Sequence, residues 1–546
     1  MTLQATPTGT RKRWAGLAVL AAGLSMIVID GTIVGVSLPA IITDLKLGLP
    51  QAQWVNSLYS IVFAALLLTA GRLGDRIGRR RLFITGVLVF VIGSLLAALA
   101  QEAVPLISAR VIQGIGGALV LPTTLSTVNA TFRGKDRATA FGIWGAVISG
   151  AAAIGPLLGG WLTSTFSWQW IFLVNVPLGA AVVAGALLTV PETRARITAP
   201  GLDVDGLLLS SLGFGFLVFG LIEGSSLGWW TPTAPLTVLG MTWPVTAPVS
   251  AAPVSLLAGA GFLTLFILWE RHRARIGRSA ILDLNLFNTG TFRWGNLTAM
   301  VVATGEFGLL FVLPLFLVNV AGLSALGAGV ILAAMAAGAF IAGAQARHLS
   351  ARIGAPNVVT LGLGLEIFGV LLLAVFLRPE ASPGLLATLL AIYGLGLGLA
   401  SAQLTQTTLA DIAVERSGQA SATQSTVRQV GAALGAAVLG GVLSFSLPRT
   451  MALTGVPDPA AKDLILQTRD SAGGLIAALR EQGTAGAFGP RGPGIVQELA
   501  SGFSDATRIT LVVCSLFLAI GFAASLRVAA ISRTSQNSPP PSDHTD

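Results

Sequence analysis

The sequence predicts an all-α polytopic membrane protein, and three observations carry that prediction. Only 10% of the residues are charged while 53% are apolar, against roughly 25% charged in soluble domains, which excludes an ordinary soluble enzyme. Long apolar runs recur along the whole of the 546 residues, each near the ~20 residues that a helix needs to cross a bilayer. These runs do not alternate apolar and polar with period two, as barrel strands would, so helices alone can satisfy their backbone groups in lipid. Sixty-six glycines suit helices whose backbones approach closely in lipid.

Fourteen runs are read along the chain: 14–39, 52–71, 82–101, 104–129, 138–164, 168–190, 206–224, 248–269, 294–320, 325–346, 357–377, 383–410, 420–447 and 507–530, here spans 1 to 14. Lys and Arg set their orientation, because short loops rich in them stay on the cytoplasmic side. With Arg11, Lys12 and Arg13 in the cytoplasm, 24 of the 33 basic residues fall on cytoplasmic segments, and only Lys46 and Arg378 fall on short external loops. Both termini are therefore expected in the cytoplasm, and the chain is expected to be a multi-pass protein of the cell (plasma) membrane. Span 1 contains Asp30 and lacks a small-residue cleavage site, so it reads as a permanent helix and not as a cleaved signal peptide.

Outside the spans lie two soluble pieces. Residues 449–505 form a nearly neutral external loop, in which the spacing of Leu464, Leu466, Leu475 and Leu479 predicts a small amphipathic helical hairpin on the outer face. The polar, Pro-rich end of the chain predicts a disordered cytoplasmic tail over 531–546. The single cysteine, Cys514, excludes a disulfide framework within the chain, and His272, His348 and His544 are scattered, so no metal or other cofactor is expected. The net charge of +9 sits between apolar runs as a topology signal, so no nucleic-acid partner is expected; the lipid bilayer is.

A weak internal repeat divides the chain. Aligning Arg76-Ile77-Gly78 on Arg352-Ile353-Gly354 also places Leu73 on Leu349, and both copies follow the second helix of a six-helix set. This predicts an N-terminal six-helix half (1–190), a linker carrying two extra transmembrane helices (191–292), and a C-terminal six-helix half (293–530) that includes the external loop. Repeats of this kind typify secondary transporters, whose substrate site lies between the halves near the midplane.

The motifs are specific. The loop after span 2 reads Gly71, Leu73, Gly74, Asp75, Arg76, Gly78, Arg79, Arg80; span 1 holds IDGTIVGVSLP at 29–39; span 4 holds Arg110, Gln113 and Gly114; span 5 holds Gly155-Pro156 followed by Gly159-Gly160. Over nearly its whole length the chain resembles the major facilitator superfamily, and within it the fourteen-helix EmrB/QacA-type drug:proton antiporters. It departs from that pattern at Gly35, where Asn is usual, and at Ala151, where Gly is usual. The resemblance implies the major facilitator fold, with two six-helix halves plus two inserted helices, a monomer, and residence in a bacterial inner membrane. It also implies that Asp75 helps hold the outward-facing state, that Arg110 relays protons, and that Gly155, Pro156, Gly159 and Gly160 mark antiport. The plainer alternatives are a basic loop that only fixes topology, above all at Arg79, Arg80 and Arg81, and a packing motif in span 5. Proline there is expected to bend or break the helix.

Ionisable groups inside lipid are functional candidates by default. They are Asp30, Arg110, Glu306 and Glu366, with Glu223 near the external end of span 7. Because burial disfavours an ionised carboxylate, competition between a proton and a lipophilic cation for Asp30 or Glu306 would suffice for antiport. Alternatives remain for each: Asp30 paired with a hydroxyl such as Thr32, Arg110 tying span 4 to a neighbour, Glu366 in a structural pair, and Glu223 at the interface beside Trp229 and Trp230. Trp54, Trp144 and Trp161 are candidates to line a cavity, and Phe307 and Phe311 flank Glu306, where rings would suit a flat cation. In span 13, Gln424, Arg428 and Gln429 resemble a cytoplasmic gate. The expected function is proton-coupled export of amphipathic, often cationic, small molecules. The alternative is a proton-coupled exporter or importer of one metabolite. Lysines within spans, which an antiporter-like respiratory subunit would carry, are missing, as are an enzyme's His/Cys/Ser cluster and a GxxxxGK[ST] phosphate loop.

Overall fold

The computed structural model describes residues 7–132, 134–194, 203–238, 241–278, 280–412, 416–454 and 456–537. Helices dominate them: α1 (Pro7–Leu45), α2 (Leu49–Ile77), α3 (Arg79–Ala98), α4 (Ala103–Thr131), α5 (Gly134–Thr165), α6 (Trp170–Thr189), α7 (Val204–Leu227), α8 (Ala251–Arg275), α9 (Gly290–Val320), α10 (Ala325–Ile353), α11 (Ala355–Phe376), α12 (Pro383–Thr408), α13 (Ser417–Thr450), the shorter α14 (Asp458–Asp470) and α15 (Gly474–Gln482), and α16 (Gly492–Asn537). The long helices α1 to α13 and α16 stand where the fourteen spans were read. Twelve of them, all but α2 and α5, are long and apolar enough among the described residues to cross a membrane.

Local sequence explains many of the helix starts. Ser324, Ser382 and Asp203 each accept a first-turn backbone N–H with the side chain, opening α10, α12 and α7. Gly78 is the single residue between α2 and α3, and Gly354 the single residue between α10 and α11. Both have positive φ, +117° and +84°, which glycine alone tolerates without strain. The repeat read from Arg76-Ile77-Gly78 and Arg352-Ile353-Gly354 is therefore a shared turn geometry.

The helices pack as two interleaved sets, α1–α6 and α9–α13 with α16, which meet where α5 lies along α10 and α2 along α13. The inserted pair, α7 and α8, packs mainly on itself and places α7 beside α2 and α13. Between them runs a short antiparallel pair, β1 (Leu236–Val238) and β2 (Met241–Trp243), which strands of three residues give too little pattern to announce.

Several expected boundaries move. α5 is unbroken through Pro156; α1 and α10 both pack along it, and neighbouring helices let proline persist in lipid. Only α14 and α15 make up the external hairpin of 449–505; residues from Gly492 onward already belong to α16. At 46 residues that helix is about 69 Å long, far more than lipid requires. It also reaches into the expected tail: 531–537 is helical, with Arg533 Nη2 donating to Asn357 Oδ1 at 2.9 Å. Residues 538–546 lie outside the described residues.

Candidate functional site

Asp30 is buried at the centre of a polar network in the N-terminal set. Arg110 Nη1 donates to Asp30 Oδ2 at 2.5 Å and to Gln113 Oε1 at 2.7 Å, and Gln113 Nε2 donates to Asp30 Oδ1 at 3.0 Å. Gln113 Nε2 also donates to Ser94 Oγ at 2.8 Å, and Asn175 Nδ2 reaches the same hydroxyl at 3.2 Å. The Arg110 guanidinium lies 4.1 Å from the Tyr59 ring centroid, and its Nε donates to the Val55 carbonyl at 3.3 Å. Five helices, α1, α2, α3, α4 and α6, thus converge on one ion pair. Helical spacing makes this local arrangement: Arg110 and Gln113 sit three residues apart, hence on one face of α4. Thr32 is not the partner of Asp30; its hydroxyl donates to the carbonyls of Val28 and Ile29.

The C-terminal set holds its acids differently. Glu366 on α11 is fully buried, and neither carboxylate oxygen has a hydrogen-bond partner among the described residues, so no structural pairing is found for it. Tyr393 on α12 is also buried, with an unpartnered hydroxyl, and Glu366 and Glu306 both act on it electrostatically. Glu306 on α9 is half-buried, and the cation that acts on it is Arg428 of α13. Arg428, expected on the cytoplasmic side, lies within α13 with a half-buried side chain, near enough for its charge to act on Glu306.

Glu223 is likewise more than an interfacial residue: Trp54 Nε1 donates to its Oε1 at 2.8 Å, joining α2 to the inserted α7. That contact gives Trp54 a definite role. Trp161 is exposed and stacks edge-on with Phe166, so it lines no interior cavity; the Trp144 side chain lies outside the described residues. Phe311 is buried and Phe307 half-buried.

The motif glycines are places of close approach. A Cβ at Gly155 would run into Thr32, one at Gly159 into Ile33, and one at Gly160 into the Ala325 carbonyl. α5 is thereby held against α1 on one side and α10 of the other set on the other. At the end of that seam the Leu326 N–H donates to Ser164 Oγ at 3.0 Å. Gly35, the departure from Asn, faces the Leu310 carbonyl of α9, where a larger residue would push the sets apart. Gly431 and Gly435 give α13 the same intimacy with α9.

The segment expected as a loop after span 2 is helical up to Ile77, because α2 continues beyond the apolar run; its Gly71 and Gly74 sit against Pro122 and Thr123 of α4. Arg79 Nη1 donates to the Ser126 carbonyl, and the Arg79 and Arg80 backbone N–H groups donate to the Thr193 carbonyl and Glu192 Oε1. Arg80 and Arg81 both lie within 4 Å of the Glu192 carboxylate, so these arginines bind the segment after α6 as well as marking topology. Leu73 and Arg76 lie on the last turns of α2. The side chain of Asp75 lies outside the described residues.

The sequence pattern of the Major Facilitator Superfamily matches residues 20–288 and 278–436. The chain belongs to the Major Facilitator Superfamily. It is a multi-pass membrane transporter and not an enzyme. Among superfamily relatives, it is 32% identical over 518 residues to the multidrug resistance protein Stp of Mycobacterium tuberculosis, covering 92% of this chain and 90% of Stp. It is 33% identical over 440 residues to the tetracenomycin C resistance and export protein of Streptomyces glaucescens, covering 79% of this chain and 76% of that one. A bacterial homologue of the human lysosomal transporter Spinster, solved inward-facing and unoccupied, superposes with a TM-score of 0.63 at 20% identity, covering 95% of this chain and 98% of that one; this similarity shows the shared superfamily fold.

For this superfamily member, sequence reasoning found the acids and missed their neighbours. Ser94, Asn175, Tyr59 and Tyr393 carried no motif. One signal was available: the chain has only two tyrosines, and each stands by a buried acid within a span, Tyr59 by Asp30 and Tyr393 by Glu366.

Proposed function

We propose that the protein exports amphipathic, often cationic, small molecules in exchange for protons by alternating access, as a monomer of the EmrB/QacA type. It would act in a bacterial inner membrane with both termini cytoplasmic. The observation that carries this reading is the unequal treatment of buried acids. Asp30 is held by a fixed cation, whereas Glu306, on which Arg428 acts, stands close enough to Glu366 for their charges to interact, and Glu366 has no hydrogen-bond partner among the described residues. A carboxylate of the second kind exchanges a proton for a lipophilic cation, because either occupant relieves the uncompensated charge. The relatives support the substrate class, being named for drug resistance and export. The excess of basic residues on alternate loops supports the orientation. Asp75, with Gly71, Leu73, Arg76, Gly78, Arg79 and Arg80, would gate the cytoplasmic face, and Gly155, Pro156, Gly159 and Gly160 would form the seam on which the halves rock.

The test uses proteoliposomes with an imposed pH gradient. Adding a fluorescent cation releases protons from the wild type. The release is lost in Glu306→Gln and impaired in Asp30→Asn. Release unchanged in both variants overturns the assignment, and uptake that collapses with an uncoupler, in place of export, overturns the direction.

A further inference from the structure

Beyond the coupling acids, a partly open cavity of about 170 Å³ lies between α2, α7, α8, α9 and α13. Its wall is apolar, built mainly from Phe214, Phe266, Phe287, Met300 and Val427, and no charged side chain lines it. Its floor is the linker segment 281–287, which is pinned from below: the Leu282 N–H donates to the buried Glu270 at 3.0 Å, and Asp283 stands 3.7 Å from Arg416. Three hydroxyl-bearing residues, Ser210, Thr423 and Thr426, are among those that line the cavity. Ser210 donates to the Leu207 carbonyl and Thr423 to the Gln419 carbonyl. The buried Thr426 hydroxyl has no partner among the described residues. A buried polar group left unpaired is costly.

We propose that this cavity is a second ligand site, for an uncharged, ring-sized apolar group bearing one hydrogen-bonding substituent that pairs with Thr426. Size and lining fit: an apolar cavity of roughly 150 Å³ stays dry and takes up benzene, and this one adds a single polar contact. The inserted pair α7 and α8, with the linker after it, supplies much of the wall. The site therefore gives these two helices a binding role separate from proton coupling.

The experiment is photolabelling of the purified full chain in nanodiscs with a diazirine-bearing benzyl alcohol, read by peptide mass spectrometry. Labels concentrate on peptides around Ser210–Phe214 and Thr423–Val430 and are displaced by benzyl alcohol. Ala65 of α2 also lines the cavity; two filling variants that elute as monodisperse folded protein, Val427→Phe and Ala65→Leu, each lower this labelling by about tenfold, since overpacking leaves no room. Thr426→Val weakens competition by benzyl alcohol roughly three- to tenfold, the worth of one hydrogen bond, and leaves competition by toluene unchanged. Labelling spread evenly over the lipid-facing helices, labelling that both filling variants leave intact, or displacement by palmitate alone, which would mark an acyl-chain slot, overturns the proposal.

Discussion

Asp30 and Glu366 are both fully buried carboxylates on membrane helices, yet their surroundings are opposite. Around Asp30 both carboxylate oxygens are engaged: Arg110 and Gln113 donate to them, and Ser94 and Asn175 extend the network through Gln113. Around Glu366 stand Tyr393, whose hydroxyl does not reach it, Glu306, whose charge acts on it, and Gly396, packed against its stem. A buried acid that is paired behaves as architecture, because removing its partner exposes an uncompensated charge. A buried acid without a partner can be neutralised only by something that arrives, a proton or a ligand. The N-terminal set thus reads as the stiffer half at its centre, and the C-terminal set as the half with charge to spare.

Three substitutions break or sharpen that contrast. The largest effect is expected from Arg110→Ala, which strands Asp30 and should cost about 3–5 kcal/mol. Thermal melting in detergent checks it, and Asp30→Asn in the same chain should recover part of the loss, as coupled neighbours do. A melting curve that Arg110→Ala leaves unmoved would show that the pair is not structural. Next comes Trp54→Phe, which removes the hydrogen bond to Glu223 between α2 and α7 and should cost about 1 kcal/mol; a smaller change than that of Glu366→Gln would reverse the ranking. The smallest shift is expected from Glu366→Gln itself, within about 0.5 kcal/mol, since no partner is lost. A loss comparable with that of Arg110→Ala would mean that Glu366 has a bound counter-charge in solution.

Composition made the helices legible, and lipid made the acids conspicuous. Which acid meets which base was not legible, because Asp30 and Arg110 are far apart in the chain and their helices are apolar on nearly every side. A helix without a polar stripe does not say which way it faces. The external hairpin was read more easily for the converse reason: α14 and α15 leave the lipid, so a polar side appears, with Leu464 and Leu479 turned inward and Leu466 outward. The glycines of α5 foretold a close neighbour without naming it, since Gly155 and Gly159 face α1 while Gly160 faces α10. Arg428 misled because a basic residue in the cytoplasmic third of a helix counts toward topology in sequence, while in space its charge acts on Glu306. The limits of α16 misled because a helix stabilised by packing continues past the residues that lipid demands.

The single-glycine joints have a mechanical meaning. Two helices separated by one residue have no slack: they cannot slide past each other by a turn, and splaying at the tip would break the bond from the Gly78 N–H to the Gly74 carbonyl or, in the second copy, from Gly354 to Ser350. α2 with α3, and α10 with α11, must therefore travel as levers whose short ends are fixed. Whatever rocking the molecule undergoes has to be pivoted along its long seams, where α5 meets α10 and α2 meets α13, and the glycines placed there act as its bearings.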